Sequence, residues 1–62
     1  MYGNYTLSVY DDAFQCVEEQ HFEGVMINYS HRGVAVIDRS SKLLYFISTA
    51  CCTVIVTEDS IE

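Results

Sequence analysis

Apolar and polar positions fall into short alternating runs divided by polar breaks. From Tyr5 to Tyr10, the residues Tyr5, Leu7 and Val9 alternate with Thr6, Ser8 and Tyr10, the period of a half-buried strand, and their types suit a pleated surface. Asp11 and Asp12 stop that alternation. Beyond them Ala13, Phe14 and Val17 stand at helical offsets, with Gln15 three positions after Asp12, which predicts a short capped helix from Asp12 to Gln20. Glu18 and Glu19 at its far end oppose the helix dipole, and no Gly closes it. The competing expectation is a strand from Phe14 to Val17 that turns at Glu18-Glu19.

The pattern from Phe22 to Thr57 predicts a four-stranded antiparallel meander. Its strands run from Phe22 to Ser30, Val34 to Arg39, Leu43 to Ser48 and Cys52 to Thr57, with turns at His31-Arg32-Gly33 and Ser40-Ser41-Lys42 and a bend over 49–51. Residues 58–62 follow as an acidic tail. Neither side of these strands is plainly polar: Phe22, Gly24 and Met26 face one way, Val25, Ile27 and Tyr29 the other. Two apolar faces require cover on both sides. A bend at Gly24, closing the sheet into a small open barrel, or a subunit interface would supply it. The expected fold is therefore a single mainly β (α+β) domain: strand, short helix, then a bent meander.

The last strand adds an edge problem. Thr53, Val54, Ile55, Val56 and Thr57 include no Pro, Lys or Arg to discourage pairing with another chain. Sixty-two residues also sit near the lower limit for an independent core, since such a domain buries only about 60% of its unfolded surface. Together these point to a homo-oligomer joined through the edge at Thr53, Ile55 and Thr57.

Charge narrows the choice of partner. Nine carboxylates against three Lys and Arg give a formal charge of −6. Phosphate neutralisation by basic side chains dominates nucleic-acid affinity, so this balance argues against direct nucleic-acid binding and for a protein partner with a basic surface. Asp11, Asp12, Glu18, Glu19 and Glu23 precede every basic residue, which makes them, with Tyr10, the candidate partner-binding set. Tyr2 and Tyr5 are further interface candidates, because tyrosine offers large amphipathic contact area. Arg32, Arg39 and Lys42 are the alternative ligand-binding set.

Candidate chemistry is sparse. Cys16, Cys51 and Cys52 form neither an even disulfide framework nor a C-x-x-C pair, and with His21 they lack zinc-ligand spacings. His31 sits in a predicted turn without a paired nucleophile and orienting group, so no catalytic residue is assigned and a non-enzymatic protein is expected. No metal or cofactor is expected. The longest apolar run, Leu43 to Ile47, is too short to cross a bilayer, and no basic-then-apolar leader opens the chain, so the expected location is cytoplasmic.

From Gln20 to Thr57 the chain resembles the body of an Sm-like (Hfq-like) barrel. The resemblance is carried by the mid-strand glycine of Phe22-Glu23-Gly24-Val25, the returning arm from Val34 to Arg39, and a strand, brief bend and β-branched strand after it. It implies a ring formed through edge strands, with RNA or a nucleotide near the bend from Ser48 to Cys51. Such proteins begin with a helix before the first strand, whereas this chain begins with a strand and is acidic.

Size, acidity and want of motifs favour an interaction protein that binds and inhibits or regulates another macromolecule. Stand-alone inhibitors from phages and mobile elements, including those that oppose host nucleases or defence proteins, share that size and charge. The alternatives are an Sm-like RNA or nucleotide-binding ring and an oligomeric small-ligand sponge.

Overall fold

The computed structural model describes residues 2–50 and 52–61. Five antiparallel strands form one open sheet: β1 (Gly3–Tyr10), β2 (Cys16–Tyr29), β3 (Gly33–Ile37), β4 (Leu43–Ser48) and β5 (Thr53–Ile61). Their order is β4-β3-β2-β1-β5, so the long β2 occupies its middle, between β3 and β1.

No helix occurs among the described residues, which corrects the helix expected from Asp12 to Gln20. Asp11 explains why. Its Oδ1 accepts the backbone N–H groups of Ala13 (3.0 Å) and Gln15 (2.9 Å), while its own N–H donates to the Gln15 carbonyl and its own carbonyl accepts from Phe14 N–H, both at 3.0 Å. A carboxylate accepting nearby N–H groups is also how a helix starts, but here Asp11, and not the expected cap Asp12, binds them and closes a hairpin. Cys16 to Gln20 then pair with Leu7 to Tyr10 instead of coiling. The alternative turn at Glu18-Glu19 is likewise absent, because both lie within β2.

The expected meander is also revised. Strands β2, β3 and β4 do follow one another in space, but β5 leaves β4 and pairs along the whole of β1, from Gly3 with Ile61 to Tyr10 with Thr53. Glu58 to Ile61 therefore belong to a strand and not to a tail.

The sheet is sharply folded on itself. Ile27, Val36 and Tyr45 make one row across β2, β3 and β4. Along a straight strand Glu18 would lie about 30 Å from that row. Yet the Tyr45 hydroxyl donates to Glu18 Oε2 at 2.6 Å, and the Tyr45 and Phe22 rings stand 5.8 Å apart. Only a bend in β2 between Phe22 and Ile27 brings them together.

Gly24 makes the bend. Its φ is 67°, in the left-handed region that side chains resist, and the register jumps there: Gly3 faces Val25 while Tyr5 faces Phe22. The bulge frees the Gly24 N–H, which Asn4 Oδ1 accepts at 3.1 Å, while Asn4 Nδ2 donates to Ser60 Oγ at 2.9 Å. One side chain thus ties β1, β2 and β5 at the fold line. The bulge also exchanges the faces of β2: Glu18, Gln20 and Phe22 point inward before it, Val25 and Ile27 after it. That switch is why β2 looks apolar on both sides.

The core lies inside the fold. Leu7 and Val9 come from β1, Val25 from β2, and Val34 and Val36 from β3, with Leu7, Val25 and Val36 essentially inaccessible. The sheet supplies its own second layer, as a chain this short must.

Candidate functional site

The fold line divides the molecule into two lobes of opposite charge. The first lobe, residues 3–25 with β5, carries Asp11, Asp12, Glu18, Glu19, Glu23, Glu58 and Asp59 and no Lys or Arg. The second, 26–50, holds Arg32, Arg39 and Lys42 against Asp38 alone. Each lobe ends in an open edge: β5 on the acidic lobe and β4 on the basic one, unpaired with each other.

Both edges expose large apolar side chains. On β4 these are Leu43, Leu44 and Phe46; on β5 they are Ile55 and Ile61. The candidate edge residues Thr53, Ile55 and Thr57 are all exposed, alternating with the less accessible Val54 and Val56.

The candidate partner-binding residues divide into two groups. Asp11 is committed to its loop, and Glu18 faces the inside of the fold, where it accepts from Tyr45 and from Gln20 Nε2. The Glu18 carboxylate holds the Tyr45 proton: this hydrogen bond, then burial and the negative charge itself, push the phenol pKa up to about 12. Asp12, Glu19 and Glu23 stay exposed, and Glu19 Oε1 lies 3.9 Å from His21 Nε2. Tyr10 stands at the end of β1 with its ring edge-to-face against Phe14, centroids 5.6 Å apart.

Phe14 is the residue that pattern reading placed in a helix. It has a φ of 62° and is 72% exposed. A bulky residue in that region is an outlier, and here most of its apolar area stays in water. Val17, in the bulge opposite Val9 and Tyr10, is exposed too, and Ile55 lies across β1 in the row of Ser8 and Glu19. Phe14, Tyr10, Val17 and Ile55 give the outer face of the acidic lobe an apolar surface with carboxylates around it.

The basic set is not gathered. Arg32 lies in the β2–β3 turn, where its carbonyl accepts from Thr49 N–H at 3.4 Å, while Arg39 and Lys42 lie in the β3–β4 loop at the other end of β3. Arg39 covers the Tyr2 ring at 4.9 Å from its centroid.

One polar chain crosses the outer face. The Thr6 hydroxyl donates to Asp59 Oδ2 at 2.7 Å and, its single proton used, accepts from His21 Nδ1 at 2.7 Å. A nucleophile activated by histidine would donate in the opposite direction. These bonds join β2, β1 and β5. Among the described residues, no three His, Cys, Asp or Glu side chains converge as metal ligands, and Cys16 and Cys52 are free thiols; Cys51 lies outside the described residues. Among the described residues, no helix is long and apolar enough to cross a membrane.

Comparison with protein-family models, curated proteins and solved structures finds no match to this chain.

Proposed function

We propose that this chain is a non-enzymatic interaction protein, which assembles with copies of itself head to tail and uses its acidic lobe to bind and regulate or inhibit a macromolecule with a basic protein surface. The observation that carries this reading is the pair of open edges: β4 on the basic lobe, β5 on the acidic lobe, both with exposed apolar side chains. Unpaired strand edges recruit strands. Because the two edges differ, pairing β4 of one copy with β5 of the next is heterologous, and opposite lobe charges favour it over β4 with β4 or β5 with β5. The assembled copies keep their net negative charge, which selects a cationic partner. Inhibitors from phages and other mobile elements that act on host nucleases or defence proteins are the class this size and charge fit, in a cytoplasmic setting.

Light scattering tests the assembly. Wild-type protein is expected as an oligomer; Ile55→Lys on β5 and Phe46→Lys on β4 should each reduce it to monomers. Mixed together, these variants retain one intact edge of each kind and should form a one-to-one heterodimer. A monomeric wild type rejects the reading, and affinity capture from host lysate tests whether the retained species is a basic protein.

The strand order with a glycine bend in β2 favours a second reading, the Sm-like ring that binds RNA or a nucleotide. There Arg32 of one copy would have to approach Arg39 and Lys42 of another, since one chain keeps them apart. Salt-sensitive RNA binding, lost when these three are neutralised, would select it.

A further inference from the structure

The outer face of the acidic lobe carries an aromatic pair that the fold does not require. We propose that Phe14 and Tyr10, with Asp12 and Glu19 beside them, form a docking point for an arginine-bearing segment of a protein partner. This rests on the acidic-binder reading and names its contact surface.

Three observations converge. First, Phe14 is 72% exposed, its ring neighbour is Tyr10, and Val17 on the same hairpin is exposed as well, so a partner finds apolar surface to cover. Second, acid predominates around it: Asp12 shares the loop, Glu19 pairs with Ser8 one outward-facing position along β1 from Tyr10, with its carboxylate 3.9 Å from His21 Nε2, and the lobe contains no Lys or Arg. A guanidinium can lie flat on an aromatic face while its N–H groups reach carboxylates beside the ring; an ammonium stacks less well and lacks the planar fork. Third, Phe14 holds a positive φ that serine holds in the corresponding loop of the other lobe, so the phenyl ring is no condition of the turn.

A second copy is the less suitable occupant. Arg39 already covers Tyr2, and the loop leaves β1 on the side of β2, one strand removed from the β5 edge.

The test uses the full chain with three ten-residue peptides, alternating Leu with Arg, Lys or Glu, and titration calorimetry on wild type, Phe14→Gly and an Asp12→Asn, Glu19→Gln double variant. Expected are tighter binding of the Arg peptide than the Lys peptide, no binding of the Glu peptide, and a roughly tenfold loss with either variant. Phe14→Gly should also erase the preference for Arg over Lys, leave the unfolding midpoint unchanged or raised, and leave the mass by light scattering unchanged. Absence of Arg-peptide binding, equal affinity for Arg and Lys peptides in the wild type, or unaltered binding by Phe14→Gly overturns the docking point. So does a lowered midpoint, which would make Phe14 structural, or a lowered mass, which would make it a self-association contact. Failure of the docking point with the oligomer intact leaves the edge assembly standing; a monomer that still prefers Arg does the reverse.

Discussion

The two lobes close their hairpins with the same loop. In the basic lobe Asp38 does what Asp11 does in the acidic one: its Oδ1 accepts from Ser40 and Lys42 N–H at 2.9 Å, its N–H donates to the Lys42 carbonyl and its carbonyl accepts from Ser41 N–H, both at 3.0 Å. The fourth residue takes positive φ in each, 62° at Phe14 and 65° at Ser41. One backbone solution therefore carries two different side chains. Serine meets the demand with a small polar group, whereas phenylalanine meets it with a ring left mostly in water. What the lobes share is the means of folding, and they differ in what they present outward: an apolar ring among carboxylates on one, arginine and lysine on the other.

The comparison depends on the lobes being folded onto each other, and Gly24→Val should disturb that most. Valine at φ near 67° is strained by both its Cβ and its branching, so a loss of about 2–3 kcal/mol is expected in urea unfolding. If stability is retained, the bend does not rely on glycine.

Next in size is the contact that ties the lobes. Tyr45→Phe removes the hydroxyl given to Glu18 and should cost about 1 kcal/mol near neutral pH, a value reduced by partial exposure. The wild-type phenol keeps its proton to about pH 12 in the folded state, while an unfolded tyrosine releases it near pH 10. Between those values the folded form binds more protons, so stability must fall as pH rises from about 10 to 12. Below pH 10 the contribution is fully present. Urea midpoints measured across this window should lose part of their slope in Tyr45→Phe; identical slopes would mean that the hydroxyl does not hold the lobes together.

How much of this was legible in the sequence depended on whether the governing contact was local. Alternation marked β1, whose Leu7 and Val9 keep one inward parity, and an unbroken apolar run between polar breaks delimited β4 from Leu43 to Ser48. Alternation failed on β2, where the bulge at Gly24 reverses the parity and where Glu18-Glu19-Gln20 carries no apolar signal. The helix expected from Asp12 failed for a definite reason: an acidic side chain that satisfies neighbouring N–H groups serves a helix start and a hairpin loop alike, and Asp11 does so here for the loop. The pairing of β5 with β1 has no local signature whatever, since it joins residues some fifty positions apart. For the same reason Glu18 read as a surface charge until Tyr45 was brought to it, whereas the separation of the acidic residues 11–23 from the bases at 32–42 was legible, and the pairing of β5 with β1 added Glu58 and Asp59 to the acidic side.

The smallest effect separates folding from presentation most directly. Replacing the fourth loop residue by glycine relieves the left-handed penalty of about 1–2 kcal/mol but adds about 0.5–1 kcal/mol of chain entropy to the unfolded state. A net gain of about 0.5–1 kcal/mol is therefore expected at both Phe14→Gly and Ser41→Gly, less any contribution the Tyr10 ring makes to Phe14. Thermal or urea unfolding of the two variants side by side measures it. Equal gains would show that Tyr10 gives Phe14 nothing the loop needs, leaving its ring free for a partner. A gain at Ser41→Gly with a loss at Phe14→Gly would instead make the edge-to-face pair part of the hairpin's own stability, and the two loops would then differ in how they fold as well as in what they present.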